Sequence, residues 1–535
     1  MASMYKLLIE KNSNRQDYSA TSLLGCETKM STLISHIEKL SGWLAVHGVK
    51  RKDKVVVCLP NIPNALVIFY AVNKLGAIVN FINPESSSQY VLQQLKEYDA
   101  KYVFVLDSWF NDNYQDFQLI NTNFIICSVA DYLSGYQKFK YDTAASFKYR
   151  NMLRNKNFIK YFSLIDNGLR IEGDSASNLV SAILNNGATG SCVKAISHTN
   201  KAFNHAVDNY KSLFGELNAD ENCILMAMPI WHNIGLSLCA HFALCNGIKV
   251  VLMPEYTALN AIKLIKQNKV TIFAGYPFMF AEIFKNHSAN KAFKSLKFAL
   301  CGGGFLSSTE LMECNKSLKD SGSNCEVTIC YWLSEMAGIS AVNTLKTTAS
   351  IGKCSEGVKA VVVNESNNIC APCEVGEICL SGSTLMQGYA KSNIPMQKNV
   401  VKLVDGTTFI KTGDNGYIDE LGNIFVVNRI KRIIKYKHLN IFPEEIENVV
   451  SKLKEVKCCC VVNNIDEPLI DDKIKIVVCL KNNATSKDVS DKINSAVKGV
   501  MHNINAKFEV VYAHSLPLTK DGKYDFSAMQ EVYNI

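Results

Sequence analysis

Between about residues 30 and 340 short apolar, β-branched runs alternate with helical stretches, and this alternation restricts the fold more than any other feature of the chain. "KVVVCL" precedes "NALVIFYAVNKLG", "AIVNFI" precedes "SSQYVLQQLKEYD", and "YVFVL", "IKVVLM", "VTIFAG" and "FALCGGG" follow, each set off by a helix-like segment. Strands that regularly hand over to helices cannot close as hairpins. They predict an α/β fold with mostly parallel sheets and helices packed on the faces. In such folds ligands lie beyond the C-terminal ends of the strands. After residue 350 the texture changes. "VKAVVV", "GEICLSG" and "TFIKTGDNGYIDELGNIFVVNRI" read as strand pairs joined by Gly-containing turns, a small β-barrel-like subdomain or sheet. "PEEIENVVSKL" and "SKDVSDKINSAVKGVMHN" then read as amphipathic helices flanking the strands "EVKCCCVVN" and "KIKIVVCL". That closing α+β stretch is expected to be a separate small domain. With its boundary near Asn428–Arg429, the chain divides into residues 1–427 and 428–535.

A chain of 535 residues is too long for one ordinary core, which agrees with that division. Its 48% hydrophobic and 20% charged composition suits a globular enzyme and argues against disorder. The net charge of +8 is modest and lysines are interleaved with acids. A nucleic-acid groove is therefore not expected, whereas a polyanionic small molecule is compatible. Nineteen cysteines, odd in number and set in apolar runs, read as buried thiols of a reducing compartment. Cys370 and Cys373 form a CxxC, but a turn and a strand follow instead of a helix, and no second ligand pair has zinc spacing. A plain hairpin is expected there. "MASMYKLLIEKNSNRQ" has no signal-peptide core, and the chain ends in Val-Tyr-Asn-Ile, unlike a peroxisomal tripeptide. The greasiest stretch, "CILMAMPIWHNIGLSLCAHFALC", contains Pro229, His232, Asn233 and His241 and reads as a buried segment, not a membrane span. The expectation is a cytoplasmic protein without an integral membrane segment.

"NNGATGSCVKAISHTN" supplies what a phosphate-binding loop needs: Gly187, Thr189 and Gly190 offer small residues, a hydroxyl and backbone N–H groups, and Lys194 follows. It lacks the Gly-Lys-Ser/Thr ending of the strand–GxxxxGK[ST]–helix loop. Further along come "MPIWHNIGL", "LKFALCGGGFLSSTEL", "CYWLSEMAG", the long "FIKTGDNGYIDELGNIFVVNRIKRIIKYKHLNIFPEEIE" and "LPLTKDGK". In this order the segments resemble the adenylate-forming superfamily of acyl-CoA synthetases, 4-coumarate–CoA ligases and firefly luciferases, over nearly the whole chain.

The resemblance implies a large N-terminal domain built on two α/β sheets and a mobile C-terminal domain. It implies one reaction: a carboxylic acid and ATP give acyl-AMP and pyrophosphate, and coenzyme A then displaces AMP. Both steps place negative charge on phosphoryl oxygens, which calls for N–H donors, hydroxyls, a lysine and Mg²⁺. By that likeness Thr189, the loop amides and Lys194 cradle the β- and γ-phosphates. Ser334 binds the α-phosphate and Glu335 the Mg²⁺. Tyr331 lies beside adenine, and Gly302, Gly303 and Gly304 let base and acyl chain approach the backbone. Asp414 accepts the ribose hydroxyls, and Arg429 contacts ribose and phosphate. Lys523 bridges the carboxylate and α-phosphate oxygens, and His232 lines the acyl and CoA approach. The C-terminal domain turns between the steps, so that the face around Lys435, Lys437 and His438 serves the second.

Several positions depart from the family. The loop has Asn186 and Ala188 where relatives carry Ser and Thr, and it lacks their Pro-Lys-Gly, which displaces Lys194. Asn428 replaces the hinge aspartate, and His438 replaces a glycine near the CoA tunnel. Trp332 stands where relatives that accept aryl or long-chain acids have glycine and acetyl-CoA synthetases have tryptophan. A packed pocket cannot absorb an indole in place of a hydrogen atom, so a short acid is expected. An adenylation-only or non-catalytic relative with a degraded phosphate loop is the alternative.

Overall fold

The computed structural model describes residues 2–117, 122–148, 158–166, 178–186, 194–284, 291–304, 306, 308–343, 345, 350–390, 399–403, 405–429, 434–436, 439–441, 443–462, 474–481, 484–500, 508–518 and 524–532. Two large sheets form first along the chain. In one, six adjoining parallel strands run Val180–Asn186, Ile78–Phe81, Lys54–Cys58, Tyr102–Leu106, Asn123–Cys127 and Phe158–Lys160. In the other, six more run Val327–Trp332, Phe298–Gly302, Ile272–Gly275, Cys223–Met226, Lys249–Leu252 and Ser19–Leu23. The strand–helix alternation thus becomes parallel pairing, and antiparallel strands are confined to the edges: Lys194–Thr199 and Gly388–Tyr389 on the first sheet, Ile339–Val342, Lys353–Cys354 and Cys26–Lys29 on the second.

One hydrophobic core joins the two sheets, running from Met4 to Ile339. At its centre lies the helix Pro63–Lys74, every residue of which is buried. Its sequence, "PNALVIFYAVNK", has apolar residues around most of its circumference, which suits a helix with no solvent face. Pro63 opens it, where a missing N–H costs nothing. The greasy segment near residue 230 is buried as expected and takes a wide turn: Gly235–Phe242 is π-helical. Within it His241 is buried, its Nε2–H donating to Asn204 Oδ1 at 3.0 Å while its Nδ1 accepts from Tyr70 O–H at 2.9 Å.

The strand pairs after residue 350 form a separate antiparallel sheet in which Val358–Val363, Gly376–Gly382, Thr408–Ile418 and Val400–Lys402 are neighbours in that order and Ile424–Arg429 also pairs with Thr408–Ile418. Cys370 and Cys373 lie in the hairpin connection between the first two of these strands and are free thiols. Pairing in this sheet persists as far as Asp414↔Arg429, so Asn428 and Arg429 are the last two residues of a strand. Past them the short hairpin Ile434–Tyr436/Leu439–Ile441 leads to a second core. There the strands Val456–Val462, Ile474–Leu480 and Phe508–Ala513 pack against the helices Pro443–Ser451 and Ser486–Val500 through Ile446, Val450, Ile476, Val489 and Ile493. Among the described residues no helix is long and apolar enough to cross a membrane.

Burial holds His241 down to about 3 and His198 to about 4, so both stay neutral in the folded protein. The unfolded chain takes up these protons below about pH 6.5. The stability that rests on keeping both rings neutral is therefore whole above pH 6.5 and is lost as pH falls toward the folded values. We expect thermal stability to drop between pH 6.5 and 4.5 by roughly 2–3 kcal/mol for each ring. In His241→Gln the same pH series should show a shallower fall, whatever the baseline of the variant.

Candidate active site

The parallel strands of the second sheet all end on one side, and the chain leaving them builds a polar cluster. Met226 leads to His232 and Asn233, Gly275 to Tyr276, Gly302 to Gly303, and Trp332 to Ser334 and Glu335. The first sheet contributes from its antiparallel edge. Val180–Asn186 and Lys194–Thr199 form a hairpin whose last pair is Asn186↔Lys194. The connection between them, with Gly187, Thr189 and Gly190, lies outside the described residues. Lys194 stands at the foot of this hairpin.

From there its ammonium reaches across to the second sheet. Lys194 Nζ donates to Glu335 Oε1 at 2.9 Å, and Tyr389 O–H donates to the same oxygen at 2.8 Å. The Glu335 side chain is only 6% exposed, so these two donors, and not water, are the partners of that oxygen. Both bonds fall on Oε1. The Lys194 ammonium also stands 5.4 Å from the centre of the Tyr389 ring. Backbone pairing fixes the turn around the carboxylate: Met386 N–H donates to the Glu335 carbonyl at 2.8 Å, and Met336 bridges Leu385. The Ser334 carbonyl accepts from His198 Nε2–H at 2.9 Å, and Asn233 Nδ2 donates to the carbonyls of Leu333 and Met336. A neutral His198 with its proton on Nε2 fits that bond, and burial is what keeps it neutral.

A second cluster joins the same strand end to the antiparallel sheet. Asp414 is buried, with Oδ2 accepting from Tyr331 O–H at 2.5 Å and Oδ1 accepting from Arg429 Nε–H at 2.9 Å. Each carboxylate oxygen keeps a lone pair free for a further donor. The Arg429 side chain is 60% exposed. Burial, and then the Asp414 charge, push the Tyr331 phenol well above its usual value, so it remains a donor at any physiological pH.

Beside these clusters an indole fills the space against the strand end. An added Cβ on Gly302 would come within 2.5 Å of Trp332 Cζ3, and one on Gly303 within 2.6 Å of Trp332 Nε1 and 2.8 Å of Tyr276 Cε1. Gly303 also has φ +73°, a conformation that side chains resist. Gly304 meets the Pro277 ring at 3.3 Å. His232 closes the far side, its Nδ1 and the Tyr276 hydroxyl sharing a hydrogen bond at 2.6 Å.

Of the residues singled out in the sequence, the structure brings Lys194 to Glu335, Tyr331 and Arg429 to Asp414, and Trp332 onto Gly302 and Gly303. It puts Ser334 between them and His232 behind Tyr276. Lys435 is on the strand Ile434–Tyr436. Lys437, His438 and Lys523 lie outside the described residues, although Leu518 and Tyr524 on either side of the Lys523 segment form a bridge. Tyr276 and Tyr389 escaped the sequence reading. Tyr276 follows the end of a parallel strand and could have been found by that rule. Tyr389 lies on a strand of two residues that no local pattern announces.

A family model described as AMP-binding enzyme matches residues 30–390. Similar full-length relatives include a long-chain-fatty-acid–CoA ligase of Bacillus subtilis, 24% identical, with 97% of this chain and 92% of the relative covered. Another is 4-coumarate–CoA ligase-like 6 of Arabidopsis thaliana, 25% identical over 95% and 87% of the two chains. Among solved structures, ATP-bound MatB from Rhodopseudomonas palustris superposes with a TM-score of 0.82 at 16% identity, covering 99% of each chain. The o-succinylbenzoate CoA synthetase of Bacillus subtilis with its acyl-adenylate superposes at 0.77 and 19% identity, covering 98% of this chain and 97% of that one.

Gly303→Ala combines a left-handed backbone with an overlap on the indole and should cost about 2–4 kcal/mol. Urea denaturation should show a smaller loss when the same substitution is made in a Trp332→Gly background.

Proposed function

The chain belongs to the AMP-binding enzyme family, and from that premise we propose that it joins a carboxylic acid to coenzyme A, with ATP as the activating co-substrate. The acid's carboxylate oxygen attacks the α-phosphorus and pyrophosphate leaves. The coenzyme A sulfur then attacks the acyl carbon, AMP leaves, and the thiol proton passes to solvent. The observation that supports this best is the meeting of two charged clusters at one strand end: Lys194 and Tyr389 on Glu335, and Tyr331 and Arg429 on Asp414. One offers a carboxylate and an ammonium for a metal–polyphosphate, the other a carboxylate and a guanidinium for a ribose and its phosphate. They stand on the same short segment, because Tyr331 and Glu335 are four residues apart.

Glu335 fits Mg²⁺. A single carboxylate together with phosphate oxygens is an ordinary donor set for this hard cation, and Oε2 is not taken by Lys194 or Tyr389. When bound, Mg²⁺ would neutralise charge on the β- and γ-phosphates. Lys194 would shift its ammonium from Glu335 toward the same oxygens, with Gly187, Thr189 and Gly190 supplying N–H and hydroxyl donors. Ser334 would hold the α-phosphate and Asp414 the ribose. Lys523 would bridge the attacking carboxylate and the α-phosphate. We assign residues 428–535 to a C-terminal unit that turns about Asn428 between the steps and brings Lys435, Lys437 and His438 to coenzyme A.

The acid is short. Trp332 and Tyr276 take up the space beside Gly302 and Gly303 into which an aryl or long acyl chain would extend. The same packing favours a second reading, a non-catalytic relative, and His438 favours an adenylation-only one. Pyrophosphate exchange tests the first, and formation of the acyl-CoA thioester on adding coenzyme A tests the second. Acid-dependent ATP–pyrophosphate exchange should appear with acetate or a similarly short acid, should fade toward octanoate, palmitate and coumarate, and should fall at least ~100-fold in Lys523→Ala. Absence of exchange with every acid tested, while nucleotide still binds, would favour the non-catalytic reading. In Trp332→Gly the preferred acid should lengthen, because removing the indole opens a cavity along the Gly302–Gly303 backbone. An unchanged acid profile in that variant would sink the pocket argument.

A further inference from the structure

The run Cys458-Cys459-Cys460 lies on the strand Val456–Val462, and its three thiols have different surroundings. Alternation along a strand sends Cys459 to one face and Cys458 and Cys460 to the other. Cys459 joins the core formed by Ile446, Ile476 and Val489. Cys460 sits opposite Val477, whereas Cys458 sits opposite Cys479. Among the described residues this is the one register pair of two cysteines. Directly opposed residues of antiparallel strands have Cα atoms about 4.5–5.5 Å apart, inside the range of about 4.4–6.8 Å that a disulfide spans. Both thiols are free, Cys458 half-buried and Cys479 buried, and both border the small core of Cys460, Val477, Leu516 and Met529.

We propose that Cys458 and Cys479 are a reversible thiol–disulfide site that reacts with low-molecular-weight disulfides. The assignment stands apart from the acid-ligase reading. Each thiol acts on the other, which raises the Cys458 thiol and lowers that of Cys479. In a pair that shares a proton this way the first ionisation is favoured, and the charge belongs to both sulfurs. The half-buried Cys458 sulfur passes its proton to the Cys479 thiolate as it attacks one sulfur of the incoming disulfide, and the small thiolate that leaves takes from solvent the proton the pair had lost. Cys479 then attacks Cys458 of the mixed disulfide, a second small thiol leaves with the second proton, and the protein pair is oxidised by two electrons while one small disulfide is reduced to two thiols. Cys370 and Cys373, exposed to a greater extent, are the natural competitors. They lie in a connection where Cys373 has φ +65° and no strand register brings them face to face.

The full chain, equilibrated in buffers from all-reduced to all-oxidised glutathione and then alkylated, decides the matter by peptide mapping with fragmentation. The expected result is a 458–479 cross-link that appears on the oxidised side and disappears with dithiothreitol. It should be lost in Cys458→Ser and in Cys479→Ser and retained in Cys459→Ser. A glutathione adduct that stays on Cys458 without passing to Cys479, or a cross-link confined to Cys370–Cys373, would overturn the assignment. The wild-type map alone distinguishes these results, so a variant that folds poorly does not obscure them, and loss of pyrophosphate exchange has no bearing on it.

Discussion

The Glu335 carboxylate is the point at which the parts of this molecule are tied together. Its lysine comes from the antiparallel edge of one large sheet, its backbone from the strand end of the other, and its tyrosine from a two-residue strand that pairs with the first. A charge this far from water is tolerated only when it is paired and hydrogen-bonded. The two sheets are therefore held to a fixed separation at the one place where ligand chemistry is proposed. Movement of either sheet by an ångström or two would leave a buried carboxylate with an unanswered charge. The Asp414 cluster repeats the device toward the antiparallel sheet, with a phenol and a guanidinium in place of the ammonium and phenol.

Much of the architecture was legible because it follows from period and alternation. "KVVVCL" and "NALVIFYAVNKLG" could only be a buried strand followed by a buried helix. "FALCGGG" could only end a strand with a close backbone approach, which the indole against Gly302 and Gly303 explains. The clusters were legible as residue types, through a resemblance, but not as contacts. Nothing in the sequence near Lys194 says that its partner is Glu335 rather than a phosphate. That pairing depends on where a hairpin of one sheet meets a turn of the other, a long-range arrangement invisible to local pattern. Tyr389 was missed for the same reason. The expected boundary near Asn428–Arg429 coincides with a strand end, since the strand carrying both residues pairs through Arg429. Strand ends are set by partners, and composition blurs them by a residue or two.

Trp332 and Lys194 also meet at the strand end where the acid and the nucleotide are proposed to bind. The indole packs on the Gly302–Gly303 backbone and the ammonium on Glu335, and only three residues of backbone separate Tyr331 from Glu335. On the proposed reading, size preference for the acid is then coupled to phosphate binding. A side chain that pushes Trp332 outward also pulls on the turn that presents Glu335.

The wholly buried helix Pro63–Lys74 has a consequence for how the chain assembles. It has no face left over once the sheets have met, so it cannot be the surface of an intermediate in which one sheet has formed and the other has not without presenting a broad greasy flank to water. The two sheets are thus obliged to acquire their native packing together, as one cooperative block, although each has its own strand order. The small core around Ile446 and Ile493 is under no such obligation. A cut between the large sheets would leave neither of them with a core.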